Sequence, residues 1–233
     1  LFINARLIDP EAGTDQPGAL LVQKGRITEV LPAGTEPAQL FRARNIEPDS
    51  ASVIDCKGKC LAPGIVDIGV KVCEPGERHK ESYKTAGLAA AAGGVTTIVT
   101  RPDTTPAIDS PETLEFVTRR AQADAPVHVL PMAALTKGRA GREMTEIGFL
   151  LDAGAVAFSD CDHVVTNTKV FSRALTYAKS CGALVIAHPQ DPGLSAGAAA
   201  TSGKFAALRG LPSVSPMAER MGLDRDIALL EMT

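Results

Sequence analysis

Polar side chains gather just after apolar runs along this 233-residue chain. Lys71 and Cys73 close the run that starts at Ile65, and Arg101-Pro102-Asp103-Thr104 follows the next one. Lys137 comes shortly after the third, Asp160-Cys161-Asp162-His163 after the fourth, and His188 after the fifth. Carboxylate, thiol and imidazole are the groups that hold divalent cations, and thiolate sulfur suits zinc. Cationic side chains are the groups that grip an acidic substrate. One such residue would be an ordinary loop residue. Five successive run ends point to a site. For the cysteines a plainer role as small apolar fillers stands beside a rearranged thiolate site built from Cys73, Cys161 and His188. For His188 a buried histidine bonded to backbone stands beside a functional role. His79 in a charged stretch reads as solvated, His128 between two valines as structural, and His163 as a loop residue.

The elements that would carry these residues alternate from Pro63 onward. The pattern predicts strands over 65–72, 95–100, 127–132, 155–159 and 184–188. Helices are predicted over 80–92, 111–122, 142–152, 167–181 and 216–232. Ser110-Pro111 is a helix-start signal, and Gly93-Gly94, Gly154 and Gly182 are helix-stop signals. Near-continuous apolar strands suggest a sheet covered on both faces, so 65–72 reads as a buried strand. On it Asp67, Gly69, Lys71 and Cys73 share one parity and are expected to line one face. Repeated βα units fit a doubly wound sheet or a (β/α)₈ barrel. No GxGxxG follows the first strand, which favours the barrel. About 170 residues from position 63 compare with about 250 for a typical barrel, so roughly the first five βα units are expected. Active sites of such barrels lie at the C-terminal strand ends, where the polar residues gather.

Residues 1–62 read instead as a small β unit. Strand-like runs cover 2–9, 19–22 and 26–31, with Lys24-Gly25 as a hairpin signal, and Val53–Cys56 is a further short strand. Residues 10–18 read as a loop and 32–51 as irregular. The expected organisation is therefore 1–62 and 63–233. Pro189–Gly203, small and lacking an aromatic anchor, reads as a mobile loop over the barrel mouth, and Ala86–Gly94 as a small-residue helix face for close packing.

Composition limits the function classes. The net charge of −3 lacks the basic footprint of a nucleic-acid binder. No apolar run is long enough to span a membrane, and no signal sequence opens the chain. Five scattered cysteines without a CxxC pair suit a reduced, cytoplasmic protein.

The runs PGIVDIGVKVCEPGERHKE, AAAAGGVTTIV, RPDTTPAID, AGAVAFSD and LRGLPSVSPMAERMGLDRDIALLE resemble, in order, the dihydroorotases of the amidohydrolase superfamily. The β-rich start resembles the N-terminal part of that family's small β-sandwich. The resemblance implies a zinc-dependent cyclic amidohydrolase that interconverts N-carbamoyl-L-aspartate and dihydroorotate. It also implies a His-x-His metal motif on the first barrel strand. Here those positions are Gly69 and Lys71. The family's substrate-clamping arginine is Cys73, and the asparagine of its Met-Pro-Asn-Thr motif is Asp103, beside Arg101. The family's aspartate ligand falls on Cys161 or, with one residue of register error, on Asp160, and its next ligand histidine is His188. The resemblance thus implies a degenerate metal centre with zinc absent. It also implies an oligomeric, non-catalytic partner of aspartate carbamoyltransferase. The competing expectations are an active zinc enzyme with atypical ligands and another cyclic amide hydrolase.

Overall fold

The computed structural model describes residues 1–233, which divide into two compact units, Leu1–Gly64 and Ile65–Thr233. No helix is long and apolar enough to cross a membrane.

The first unit is one sheet with one helix. Strands β1 (Phe2–Asp9), β2 (Thr14–Gln23) and β3 (Arg26–Pro32) pair antiparallel in sequence order. The β2–β3 turn is Lys24-Gly25, both at positive φ (51° and 74°), the backbone that a two-residue hairpin requires. Two short strands, β4 (Ile54–Asp55) and β5 (Cys60–Leu61), run parallel to β1. The expected loop at 10–18 is shorter than predicted, because β2 already pairs with β1 from Thr14. The stretch read as irregular contains helix α1 (Pro37–Arg44), with proline at its first turn and Asn45 as a left-handed cap. It forms because Leu40 and Phe41 bury against Leu1 and Leu21. A second sheet layer is not formed by these residues.

The second unit carries the βα repeats. Strands β6 (Ile65–Val70), β7 (Val95–Thr100) and β8 (His128–Pro131) lie side by side, all parallel. The fourth and fifth predicted strands are shorter than expected. Phe158 bridges to Ala133 on one side and Val185 on the other, and Ser159 and Ile186 donate amides across the same ladder. Pairing stops there because Cys161 (φ +57°) turns the chain away. Helices α2 (Tyr83–Ala92), α3 (Pro111–Asp124), α4 (Ile147–Asp152) and α5 (Thr168–Cys181) follow the first four segments. Ser82, Ser110 and Asn167 cap α2, α3 and α5 through their side chains, and Gly182 ends α5 in the left-handed conformation. Helix α4 starts five residues later than predicted. Thr136 bridges to Met144, and Thr145 donates its amide to Leu135, so 143–145 stay extended.

The helix-side core gathers Val72, Tyr83, Leu114, Val117, Ile147, Leu150, Phe158 and Phe171. Of the predicted small-residue face at 86–94, Ala86 and Gly87 are buried, with a Cβ on Gly87 standing 2.6 Å from Pro126 Cδ, whereas 88, 89 and 91–94 are exposed. Strand β6, read as buried, is an edge strand with Ile65, Val66 and Ile68 exposed. It pairs with β7 along one side, and no strand pairs with its other edge.

The segment read as a mobile loop is structured. Asp191 accepts the Leu194 amide and, with Pro192, starts the single turn α6 (Pro192–Ser195). Strand β9 (Ala200–Thr201) pairs parallel with β10 (Ser213–Val214) around α7 (Lys204–Arg209). Helix α8 (Met217–Glu231) then packs back. A Cβ on Gly222 would lie 2.5 Å from the Gln190 amide nitrogen, so backbone meets backbone beside His188.

Asp160 fastens the fourth segment to the third. Its buried carboxylate accepts the Leu135 amide at 3.0 Å, the Thr136 amide at 2.9 Å and the Thr136 hydroxyl. Burial pushes its carboxyl up from the ordinary range. The bonds from Thr136 and Leu135 and the Arg139 charge pull it back without cancelling that rise.

Two predictions follow from this packing. Gly222→Val overpacks the α8–Gln190 contact, at a cost of about 1–3 kcal/mol, and calorimetry should show a lower thermal midpoint. Asp160→Ala strands three donors, two of them backbone amides, and should cost about 3 kcal/mol. Asp160→Asn should retain most of the stability, because its oxygen accepts both amides and its NH₂ donates to Thr136. The folded chain holds the Asp160 proton more tightly than the unfolded chain. That contribution is fully present below the ordinary carboxylate range and is lost as pH rises through the raised value. The midpoint of Asp160→Asn should therefore gain on wild type between acid and neutral pH. Equal midpoints for the Ala and Asn variants would contradict this account.

Candidate functional site

The sequence expectation of one continuous polar face on the first strand is not met. Ile68 lines a cavity at the strand ends, whereas Val70 and Val72, of the same parity, pack into the helix-side core. The switch occurs at Gly69, which sits at φ +92° where the β6–β7 register shifts between Ile68 and Val70. One extra residue inverts the alternation of every side chain beyond it. Asp67 and Lys71 therefore do not share a face. The left-handed backbone suits glycine and strains any residue with a Cβ.

Past the bulge, the strand ends are joined by a chain of opposite charges. Lys71 Nζ lies 3.1 Å from Asp103 Oδ2. Arg101 grips the same carboxylate with two nitrogens, at 2.8 Å and 3.2 Å. Its Nη2 also lies 3.3 Å from Asp162 Oδ1, and Arg139 Nη2 reaches that oxygen at 3.3 Å. His163 Nδ1 lies 3.1 Å from the Arg139 carbonyl oxygen. The Asp103 side chain is 2% exposed, that of Lys71 54%. The polar residues of four successive strand ends thus become one network.

The loop backbones are fastened as well. Arg101 donates its amide to the Val70 carbonyl at 2.9 Å, and Thr105 donates to Pro75 at 3.3 Å. Gly76, at φ +104°, lies so close to Thr105 that a Cβ would stand 2.6 Å from its carbonyl oxygen. Glu74, on the same loop, is buried. It accepts the Tyr83 amide at 3.2 Å and Arg120 Nε at 3.1 Å, anchoring this loop to α2 and α3.

A cavity of about 270 Å³ opens beside this network, lined by Ile68, Gly69, Arg101, Ser159, Cys161 and His188 among others. It brings together Arg101, Cys161 and His188 of the sequence-predicted residues. Burial, and then the Asp103 charge, push the Cys161 thiol up, against the pull of Arg101 and Arg139. His188 is exposed, with Nε2 3.3 Å from Gln190 Oε1, so it is not a buried histidine bonded to backbone. Cys73 is half-buried and does not line the cavity. Lys137 leaves the network to pair with Glu143. His79 is exposed, and so is His128, contrary to its reading as a structural residue within the strand. Sequence reasoning missed Arg139. Its only signal was a place two residues after Lys137, and its positive φ (57°) is not legible from residue type.

The donor set does not fit the zinc that the family resemblance implies. Gly69 offers no ligand atom, and Lys71 brings an ammonium. Asp160 spends both oxygens on Leu135 and Thr136. Of the candidates on this chain, Cys161 and His188 keep side-chain donors facing the cavity. No three His, Cys, Asp or Glu side chains are grouped to hold an ion.

Comparison with known proteins gives a consistent family. The Dihydro-orotase-like family model matches residues 58–231. The chain is 36% identical over 233 residues to a dihydroorotase of Syntrophobacter fumaroxidans (strain DSM 10017 / MPOB), covering 100% of this chain and 52% of that protein. It is 36% identical over 232 residues to a "Dihydroorotase-like protein" of Pseudomonas putida, with the same coverage. Among solved structures, the L-hydantoinase (dihydropyrimidinase) of Arthrobacter aurescens superposes with a TM-score of 0.73 at 19% identity, over 99% of this chain and 50% of that one. At that identity the likeness shows the fold alone, a TIM-type barrel of which this chain holds part. The chain spans about half the length of the curated relatives it matches. The family match over most of the chain and the whole-length identity to dihydroorotases lead to one conclusion: this chain belongs to the dihydroorotase-like family.

Proposed function

We propose that this is a dihydroorotase-like protein of pyrimidine biosynthesis whose metal-hydrolase centre has degenerated. It serves as a non-catalytic partner of aspartate carbamoyltransferase. One observation carries the first half of this reading. Where the family's histidine pair would stand, Gly69 has no side chain and the Lys71 ammonium is committed to Asp103 at 3.1 Å. Hydrolysis of a cyclic amide in this family needs a metal to generate hydroxide and polarise the carbonyl. A glycine and a paired cation supply neither. The loss extends past the first strand, since Asp103 and Asp160 are both engaged with donors of the chain itself. The partner role extends the family resemblance.

A second reading has its own observation. Cys161 and His188 line the same cavity and together offer sulfur and nitrogen to a soft metal. Metal analysis of the freshly purified full chain, paired with a dihydroorotate hydrolysis assay, separates the two. The expected result is zinc far below one equivalent per chain and hydrolysis at background. Stoichiometric zinc with turnover would sink the degenerate-centre reading in favour of the atypical enzyme. Gly69→His with Lys71→His should not restore zinc binding, because a histidine at φ +92° is strained and Asp160 remains engaged. For the partner role, the chain should co-elute with aspartate carbamoyltransferase in gel filtration. Separate elution of the two at micromolar concentration would remove that part of the proposal.

A further inference from the structure

Asp103 poses a problem that the fold has to solve. Its side chain is 2% exposed, and a buried carboxylate is costly unless it is paired and hydrogen-bonded. Arg101 grips it with two nitrogens, but the same guanidinium also faces Asp162. Lys71 is the cation near Asp103 that pairs with that carboxylate alone. Counting the chain, three cations (Lys71, Arg101 and Arg139) face two carboxylates (Asp103 and Asp162). Lys71 also sits directly after the Gly69 bulge, on the first strand-end loop, whereas Asp103 belongs to the second. Their contact joins the same two loops as the Arg101–Val70 and Thr105–Pro75 backbone bonds.

We propose that the Lys71 ammonium is a built-in replacement for the positive charge of a metal ion. With Arg101 it neutralises the buried Asp103 carboxylate and ties the first strand-end loop to the second, so that this end of the sheet assembles without a cation from solution. This inference rests on the degenerate-centre reading and gives Lys71 a positioning role that the loss of a ligand alone would not require. Because the ammonium is half exposed, solvent screens it, and the tether is worth less than a buried pair.

Thermal unfolding of the full chain tests the proposal. Lys71→Met keeps the aliphatic stem and removes the charge, and it should lower the midpoint by about 2–4 °C. Lys71→Arg, which keeps the charge, should restore most of that loss. In an Asp103→Asn background, Lys71→Met should shift the midpoint little, since the partner charge is already gone. Neither EDTA nor added zinc should move the wild-type midpoint. If Lys71→Arg falls as far as Lys71→Met, the charge is not what matters and the proposal is overturned. An equal Lys71→Met shift with and without the Asp103 carboxylate overturns it too. Both of those outcomes leave the degenerate-centre reading standing. A wild-type midpoint that rises with zinc and falls with EDTA overturns the degenerate-centre reading itself, and this proposal with it.

Discussion

A carboxylate taken out of water must find positive charge, and Asp103 sets that requirement at the strand ends. Its side chain is all but closed to solvent, so the chain surrounds it with Lys71 and Arg101. Arg101 extends the pairing to Asp162, and Asp162 extends it to Arg139. The residues come from four strand ends, Arg101 and Asp103 from the same one. The arrangement of the loops after β6, β7, β8 and the fourth segment is therefore tied to one buried charge. Lysine and arginine side chains join these strand ends in the structure.

Backbone geometry makes the pairing possible. The bulge at Gly69 inverts the side-chain alternation of β6, so Val70 and Val72 enter the helix-side core and Lys71 reaches Asp103. Gly76 lets the first loop lie against Thr105, and Gly222 lets α8 lie against the backbone after His188. A side chain at any of these three positions would force a shift, by strain at the first, by collision at the third and by both at the second. The loops are thus held by absence of bulk as much as by attraction, and Glu74 completes the hold by reaching α2 and α3.

Much of this was legible in the residues. Alternating apolar runs and their stop signals located the βα repeats, because helix and strand periods are local properties. The Lys24-Gly25 hairpin was legible for the same reason, since a two-residue turn demands positive φ. Helix α1 was missed because its core face is only Leu40 and Phe41, although Pro37 marked its start. The 189–203 segment was misread through its composition, while the Asp191-Pro192 cap that orders it was on view. The start of α4 was placed too early because Thr145 is claimed by Ala134 and Leu135, partners ten and eleven residues away.

Family membership is a statement about residue identity, and the linear order of the chain is sufficient for it. It is not sufficient for the roles of the charged residues. Asp103 read as standing at the family's asparagine position, and it serves as the anchor of an ion chain. Asp160 read as a metal-ligand candidate, yet it holds Leu135 and Thr136. Arg139 gave no signal beyond its place two residues after Lys137. The reason is physical: a charged side chain takes its role from whatever opposite charge and donor groups lie within about 4 Å of it. Those partners come from strand ends that are 23 to 61 residues apart in the chain and meet only when the sheet has formed.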